Sequence, residues 1–427
     1  MNILFLFADQ MHAFALGCMG NSEIHTPNLD SLAEQGVLFR NAYSNAPVCT
    51  PYRGTLFTGR YGSQTDMLGN TAPLPAGEMT LADCLNEAGY RTSYVGKWHI
   101  GDTWNKAVPE ALRGGFTDFI GYQAHNDFLN GVWFFDEHGD RRESDAHRTE
   151  ATTDVAMERL EAVAGEPFAM FVSYQNPHYP IQPSPEYAAM YEGIELTRRP
   201  NCRDVEPYTG THSPTSPKPR ELDPNYRRYG GDLGEYLRLY YAMVTQLDAN
   251  IGRLLGRLDE LGIADETVVV FTSDHGDMQG SHGLTNKGVG WEESSHVPQI
   301  VRVPGGRSGE VADGIVSGVD FFPTLLGLAD AVCPPGKEGV DLGPFLRGHT
   351  DSEPSRVFAE MQSWCMVRDG DWKLVAERPD VTPSHLFDLG ADPYEMDNLL
   401  ASAPHADIRE RLLAALREWD TRVRSDA

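Results

Sequence analysis

The sequence is short of long apolar runs, of paired cysteines and of positive charge, and each shortage excludes a class of protein. The longest early apolar stretch, Ile3 to Ala8, is far below the roughly 18 residues that cross a bilayer. It has no basic segment before it and no small-residue cleavage site after it, so no membrane partner is expected and the expected location is cytoplasmic. Six cysteines, Cys18, Cys49, Cys84, Cys202, Cys333 and Cys365, are scattered without a C-x-x-C pair. That spacing suits neither a disulfide framework nor a structural zinc site, and most of them read as buried small hydrophobes. With 35 basic against 62 acidic residues the net charge is −27, which excludes nucleic acid as a partner because phosphate binding needs a basic footprint. An anionic substrate would also be repelled at long range, so a site for one needs local cations to reverse the field.

What is present is globular. The 427 residues predict two to three units of about 150 residues, or one large α/β domain with an appendage. Counting glycine and omitting tyrosine, about 47% of the chain is apolar, inside the globular range. Short runs rich in β-branched residues alternate with helical patterns: Ile3 to Ala8, Thr92 to Val95, Phe168 to Tyr174, Val268 to Thr272 and Gln299 to Val303 read as strands. Their lack of charge predicts burial on both faces. From Leu237 to Glu260, apolar residues recur at steps of three and four, the period of an amphipathic helix. Residues 181 to 232 read as a long irregular insertion. After about residue 350 come short strands (Val357 to Met361, Trp372 to Val375), a turn at Ala391-Asp392-Pro393 and an amphipathic helix from Ile408 to Val423. The expected fold class is α/β: a large, mostly parallel sheet flanked by helices over residues 1–350, with a small α+β domain at 351–427.

Ligands of open parallel sheets bind beyond the carboxyl ends of the strands. Here those ends carry Asp9-Gln10, Lys97 and His99, Asn176-Pro177-His178, and Ser273-Asp274-His275-Gly276. Asp9, Gln10, Asp274 and His275 offer oxygen donors with one imidazole, a set suited to calcium, magnesium or manganese. A bound dication would also supply the positive potential that the chain lacks. In Pro47-Val48-Cys49-Thr50-Pro51-Tyr52-Arg53, Pro51 fits a first helical turn and places Cys49 at the helix mouth, with Arg53 four residues on. That setting stabilises an anion or lowers the pKa of a nucleophile.

Cys49-Thr50-Pro51-Tyr52-Arg53, followed by Gly59-Arg60, resembles the C-x-P-x-R signature of type I, formylglycine-dependent sulfatases in the alkaline-phosphatase superfamily. The resemblance continues through H-T-P-N-L-D at 25 to 30, G-Y-R-T-S-Y-V-G-K-W-H at 89 to 99, N-P-H at 176 to 178, T-S-D-H-G-D at 272 to 277 and L-F-D-L-G-A-D-P at 386 to 393. It implies an alkaline-phosphatase-like fold and a sulfuric ester hydrolase. It further implies that a formylglycine-generating enzyme converts Cys49 to an aldehyde whose hydrate is the nucleophile, and that Asp9, Gln10, Cys49, Asp274 and His275 ligate a divalent metal, calcium in the first instance. Gln10 stands where many relatives carry a second Asp. By the same resemblance Arg53 would hold the nucleophile's hydroxyl, Lys97 and Lys287 would grip the sulfate, His178 would protonate the leaving alcohol and His99 would assist breakdown of the intermediate.

His282 and His296 are read as structural, Trp98, Trp104, Trp133, Phe134 and Phe135 as core, and Asn126, Asp127, His147 and Arg148 are left outside the site. The expected substrate is a small sulfated compound, in particular a sulfated carbohydrate. A phosphonate monoester or phosphodiester hydrolase and a catalytically silent glycan-binding protein are the competing readings. No oligomeric state follows from the sequence.

Overall fold

In the computed structural model, which describes residues 1–129, 131–202 and 232–425, eleven strands form one sheet. They are Asn2–Asp9 (β1), Val37–Tyr43 (β2), Arg91–Lys97 (β3), Asp118–Tyr122 (β4), Val132–Phe135 (β5), Arg141–Ser144 (β6), Phe168–Pro177 (β7), Thr267–Ser273 (β8), His296–Val297 (β9), Gln299–Arg302 (β10) and Glu310–Ser317 (β11). Their order is β11-β2-β10-β8-β1-β7-β3-β4-β5-β6, with β9 on β2. The centre is parallel: β1 lies between β7 and β8, and β3 pairs with β7 and β4. All but one residue of β1 are buried, and the pleat sorts them by face. Leu4, Leu6 and Ala8 pack with the helices Pro27–Gln35, Arg148–Val163 and Leu233–Glu260. Ile3, Phe5 and Phe7 pack with Cys49–Thr58, Leu81–Glu87 and Phe321–Leu328.

The sheet is mixed rather than uniformly parallel. Gln299–Arg302 runs antiparallel to both β8 and β2, and β5 and β6 are antiparallel too. The chain reaches β10 from β8 through a loop that folds back over the strand ends without a long crossover helix, so it returns in the opposite direction. The long helix begins at Leu233, four residues before the apolar period, because the Asp232 carboxylate caps it by accepting from the Glu235 amide at 3.2 Å. Within the expected irregular insertion, Pro185–Met190 forms a helix, while 203–231 lie outside the described residues.

A second sheet, Arg356–Glu360 (β12), Trp364–Asp369 (β13), Trp372–Glu377 (β14) and Thr382–Asp388 (β15), is an antiparallel meander. The helix Ala406–Ser425 covers it through Leu412, Leu416, Trp419 and Val423. Trp364 Nε1 donates to the Gly288 carbonyl at 2.9 Å and so holds this sheet against the loop that bears Lys287. No disulfide joins any two of the six cysteines, all of which are among the described residues. Cys84 and Cys365 are buried as expected and Cys49, the candidate nucleophile, is buried too, whereas Cys18 and Cys202 are half-buried and Cys333 is exposed. No described helix is long and apolar enough to cross a membrane.

Candidate active site

The parallel centre of the sheet brings four strand ends together. β1 delivers Asp9 and Gln10, β3 delivers Lys97, β7 leads into His178, and β8 leads into Asp274 and His275. Gly96 lets β3 deliver its lysine. Its φ is 106°, and a Cβ there would lie 2.2 Å from the Ser173 carbonyl oxygen of the neighbouring strand, so only glycine fits. The helix Cys49–Thr58 opens at Cys49 with Pro51 in its first turn, and all ten of its residues are buried.

Cys49 Sγ is the convergence point. It lies 3.2 Å from His275 Nε2, 3.6 Å from Asp9 Oδ1, 3.5 Å from Lys287 Nζ and 3.8 Å from Lys97 Nζ. Lys97 Nζ also pairs with Asp9 Oδ2 at 2.6 Å, with both side chains fully buried. His275 Nδ1 donates to its neighbour's carbonyl, Gly276 O, at 3.0 Å. This fixes the proton on Nδ1 and makes Nε2, 3.4 Å from Asp274 Oδ1 and 3.8 Å from Asp9 Oδ1, the nitrogen that would bind a metal.

Ligand atoms of Asp9, Cys49, Asp274 and His275 all lie within 4.8 Å of one another. Two ligands bound at right angles to a calcium ion by bonds of about 2.4 Å would sit about 3.4 Å apart. Two carboxylates and an imidazole lone pair at such spacings fit a hard divalent cation. A second metal-capable set, His282, Glu293 and Glu395, is already matched by cations: Lys373 stands 2.7 Å from Glu395 and Arg199 2.7 Å from Glu293.

Gln10 joins the same centre. Its Oε1 accepts from Lys287 Nζ at 2.8 Å, and its Nε2 donates to Asp277 Oδ2 at 2.7 Å. Arg53 is fully buried and aims its fork at the carboxylates: Nη2 meets Asp9 Oδ2 at 3.1 Å and Asp274 Oδ2 at 3.2 Å. Its Nη1 donates to the Lys97 carbonyl at 2.5 Å and to Ser173 Oγ at 2.8 Å. The bonds of Arg53 thus orient the acids, whereas Lys97 and Lys287 approach Cys49 directly. His178 donates Nδ1–H to the Tyr179 carbonyl, which turns Nε2 toward Asp9 Oδ1 at 3.8 Å. His99 is held in the left-handed region, φ 49°, and its carbonyl accepts from Thr50 Oγ1 at 2.5 Å.

The charges are strongly coupled. Burial opposes ionisation of Cys49, but Lys287, Lys97 and His275 outweigh it and hold the thiol well below its ordinary value. Burial and Cys49 push Asp9 up, yet Lys97, His178 and Lys287 keep its carboxyl below the usual carboxylate range. Burial, then Asp9, push Asp274 up to about 7. His178 is pushed down to about 3 by burial and by Lys287 and Lys97, so its ring is neutral while the site is empty of anion. The site stabilises negative charge at position 49 within a protein of net charge −27.

Several side chains set aside on sequence grounds are structural. His296 bonds Glu292 Oε2 at 3.0 Å and the Arg40 carbonyl at 2.8 Å. Arg148 donates to the Asp127 carbonyl at 2.9 Å, and Trp98, Trp133 and Phe134 are buried. Trp104 departs from the core expectation: it is 47% exposed, with its ring edge-on to His99. Sequence reasoning missed the supporting groups Asp277, Tyr236, Tyr240, whose hydroxyl donates to the Gln10 carbonyl at 2.7 Å, and Ser44, whose hydroxyl donates to the Asp274 carbonyl at 2.6 Å. Asp277 ends T-S-D-H-G-D, whereas Tyr240 comes from the apolar period of the long helix and Tyr236 from the helical turn before that period, and neither carries a local signal.

Comparison with known proteins defines the class. A family model for sulfatases matches residues 1–331, and one described as the C-terminal part of N-sulphoglucosamine sulphohydrolase matches residues 280–422. The chain belongs to the sulfatase family and is an enzyme of sulfate ester hydrolysis. An ulvan-active sulfatase of Formosa agariphila is 32% identical over 98% of this chain and 80% of its own. An N-acetylglucosamine-6-O-sulfatase of Bacteroides thetaiotaomicron is 28% identical over 98% of this chain and 86% of its own. A solved structure in complex with its substrate D-glucosamine-2-N,6-O-disulfate superposes with a TM-score of 0.86 at 24% identity, covering 99% of this chain and 98% of that one.

Proposed function

We propose that this enzyme removes sulfate from a sulfated saccharide, using Cys49 after its oxidation to formylglycine. The observation that carries the reading is the convergence of metal-capable side chains and two buried ammonium groups around a single atom, Cys49 Sγ. The saccharide class is supported by the substrates that the names of two relatives and one structural neighbour print.

Asp9, Gln10, Asp274 and His275 would hold the metal, with calcium favoured by the oxygen-rich donors. When bound, a divalent cation there neutralises sulfate oxygens and favours the ionised form of a hydroxyl at position 49. Lys97 and Lys287, which reach position 49 at 3.8 and 3.5 Å, grip the remaining sulfate oxygens and stabilise charge that grows in the transition state. Burial and, after it, the two ammonium groups hold the His178 imidazole neutral, and the anion offsets the ammonium contribution. His178 Nε2, whose ring is fixed by its Nδ1–H bond, can then carry the proton that passes to the leaving alcohol. Arg53 keeps both carboxylates in register, and His99 stands at the rim to take a proton during release of sulfate.

A formylglycine hydrate resets itself: once one hydroxyl is sulfated, loss of the other's proton expels sulfate and restores the aldehyde. The test is a sulfate-release screen with enzyme matured by a formylglycine-generating enzyme, against defined sulfated saccharides, sulfated phenols, choline sulfate, a phosphodiester and a phosphonate monoester. The highest kcat/KM is expected on a sulfated saccharide. A higher kcat/KM on the phosphorus esters would overturn the reading, and so would saccharide binding without sulfate release.

A further inference from the structure

We propose that Asp277 is a positioning residue which fixes the Gln10 amide, so that the carbonyl oxygen of Gln10 and not its NH2 faces the metal centre. The inference rests on the metal reading above and goes beyond it, since Asp277 itself lies outside the ligand set. An ionised carboxylate only accepts hydrogen bonds, and this one is filled from three parts of the chain. Asp277 Oδ1 accepts from the backbone amides of Gln279 and Asn286, each at 3.1 Å. Asp277 Oδ2 accepts from Gln10 Nε2 at 2.7 Å and from the Tyr236 hydroxyl of the long helix. Both Asp277 and Gln10 are fully buried, so no solvent competes for these contacts.

The consequence for Gln10 is directional. Its NH2 faces Asp277 and, more weakly, Asn286 Oδ1 at 3.5 Å, while its Oε1 takes the Lys287 ammonium at 2.8 Å. Turning the amide over would set its oxygen against a carboxylate and its NH2 against an ammonium, two repulsive contacts in a buried site. Lys287 Nζ is itself 3.5 Å from Cys49 Sγ, which puts the fixed carbonyl at the reaction centre. The pairing also makes positions 10 and 277 interdependent. Aspartate at position 10 would confront Asp277 with a like charge unless position 277 became neutral.

The test is calorimetric titration of metal-stripped protein with calcium, magnesium and manganese chloride, alongside unfolding midpoints measured without metal. Asp277→Asn is expected to weaken binding of the preferred cation by at least about 10-fold. Gln10→Asp should also weaken it, while Gln10→Asp/Asp277→Asn returns to within about threefold of the original affinity, a recovery that loss of structure would not produce. Tyr236→Phe removes one donor to Asp277 and keeps the shape; a loss of about threefold is expected and gives a second route should Asp277→Asn fail to fold. Folded Asp277→Asn with unchanged affinity, or a double variant no tighter than Gln10→Asp, overturns the proposal. An unsubstituted protein that binds none of the three cations overturns the metal reading itself.

Discussion

Replacing Arg53 by methionine removes the guanidinium that bridges two buried acids. Nη2 lies 3.1 Å from Asp9 Oδ2 and 3.2 Å from Asp274 Oδ2, and all three side chains are fully buried. Breaking a buried ion pair from one side costs about 3–5 kcal/mol, because the remaining charge is left uncompensated. Asp9 keeps Lys97 at 2.6 Å and Asp274 keeps the Gln10 amide at 3.1 Å, so the lower end, about 3 kcal/mol, applies here. Methionine retains much of the side-chain volume against the Phe7 ring, which the guanidinium carbon overlies at 4.9 Å, so little of the loss is steric. Tryptophan-fluorescence urea unfolding of metal-stripped protein measures it. Repeating the measurement in excess calcium should shrink the penalty, since a dication takes over the neutralisation of both carboxylates. A metal-free penalty below about 1 kcal/mol, no more than an exposed pair contributes, would refute this electrostatic account; so would a penalty that grows with calcium.

Peptide mass analysis across Cys49 should show the aldehyde when the protein is made with a maturing enzyme, and Cys49→Ala should abolish turnover with the unfolding midpoint little changed; near-normal rates in that variant would reject the nucleophile assignment. Gly96→Ala should destabilise by more than about 3 kcal/mol, because the new Cβ meets a strand carbonyl that the sheet register holds in place and the backbone conformation is itself unfavourable; a urea midpoint within error of the original would contradict that. Burial pushes Asp248 up to about 6 even though it accepts bonds from Asn28 and Leu29. A raised carboxyl pKa contributes stability present below the ordinary value of 3.8 and lost as pH rises through about 6. The stability of Asp248→Asn relative to the original should therefore increase from pH 4 to pH 6, and parallel profiles would rule out Asp248 as the titrating group.

Strand ends are where sequence and chemistry coincide, which is why Asp9, Lys97, His178, Asp274 and His275 could be read before any coordinates. Each follows an apolar run whose burial on both faces is written in its composition, and a parallel arrangement sends all such ends to one rim. Direction is not written in that way. Gln299 to Val303 looks like its neighbours because a short buried strand has the same residues whichever way it runs, and only the connection from β8 decides that it returns antiparallel.

The aiming of the site residues is harder still to read, because it depends on groups that meet only in the folded chain. Gln10 reaches Asp274 across 264 residues and Asp277 across 267, and Arg53 reaches Asp274 across 221. The resemblance implies a contact of Arg53 with the nucleophile; its guanidinium has five donors in a rigid plane, and one edge of it meets the buried carboxylates of Asp9 and Asp274. By its own side chain Gln10 is an amide standing where many relatives carry an Asp, with no sign of which way that amide points. Beside Asp277 it is an oxygen donor of fixed orientation, and that property belongs to neither residue alone.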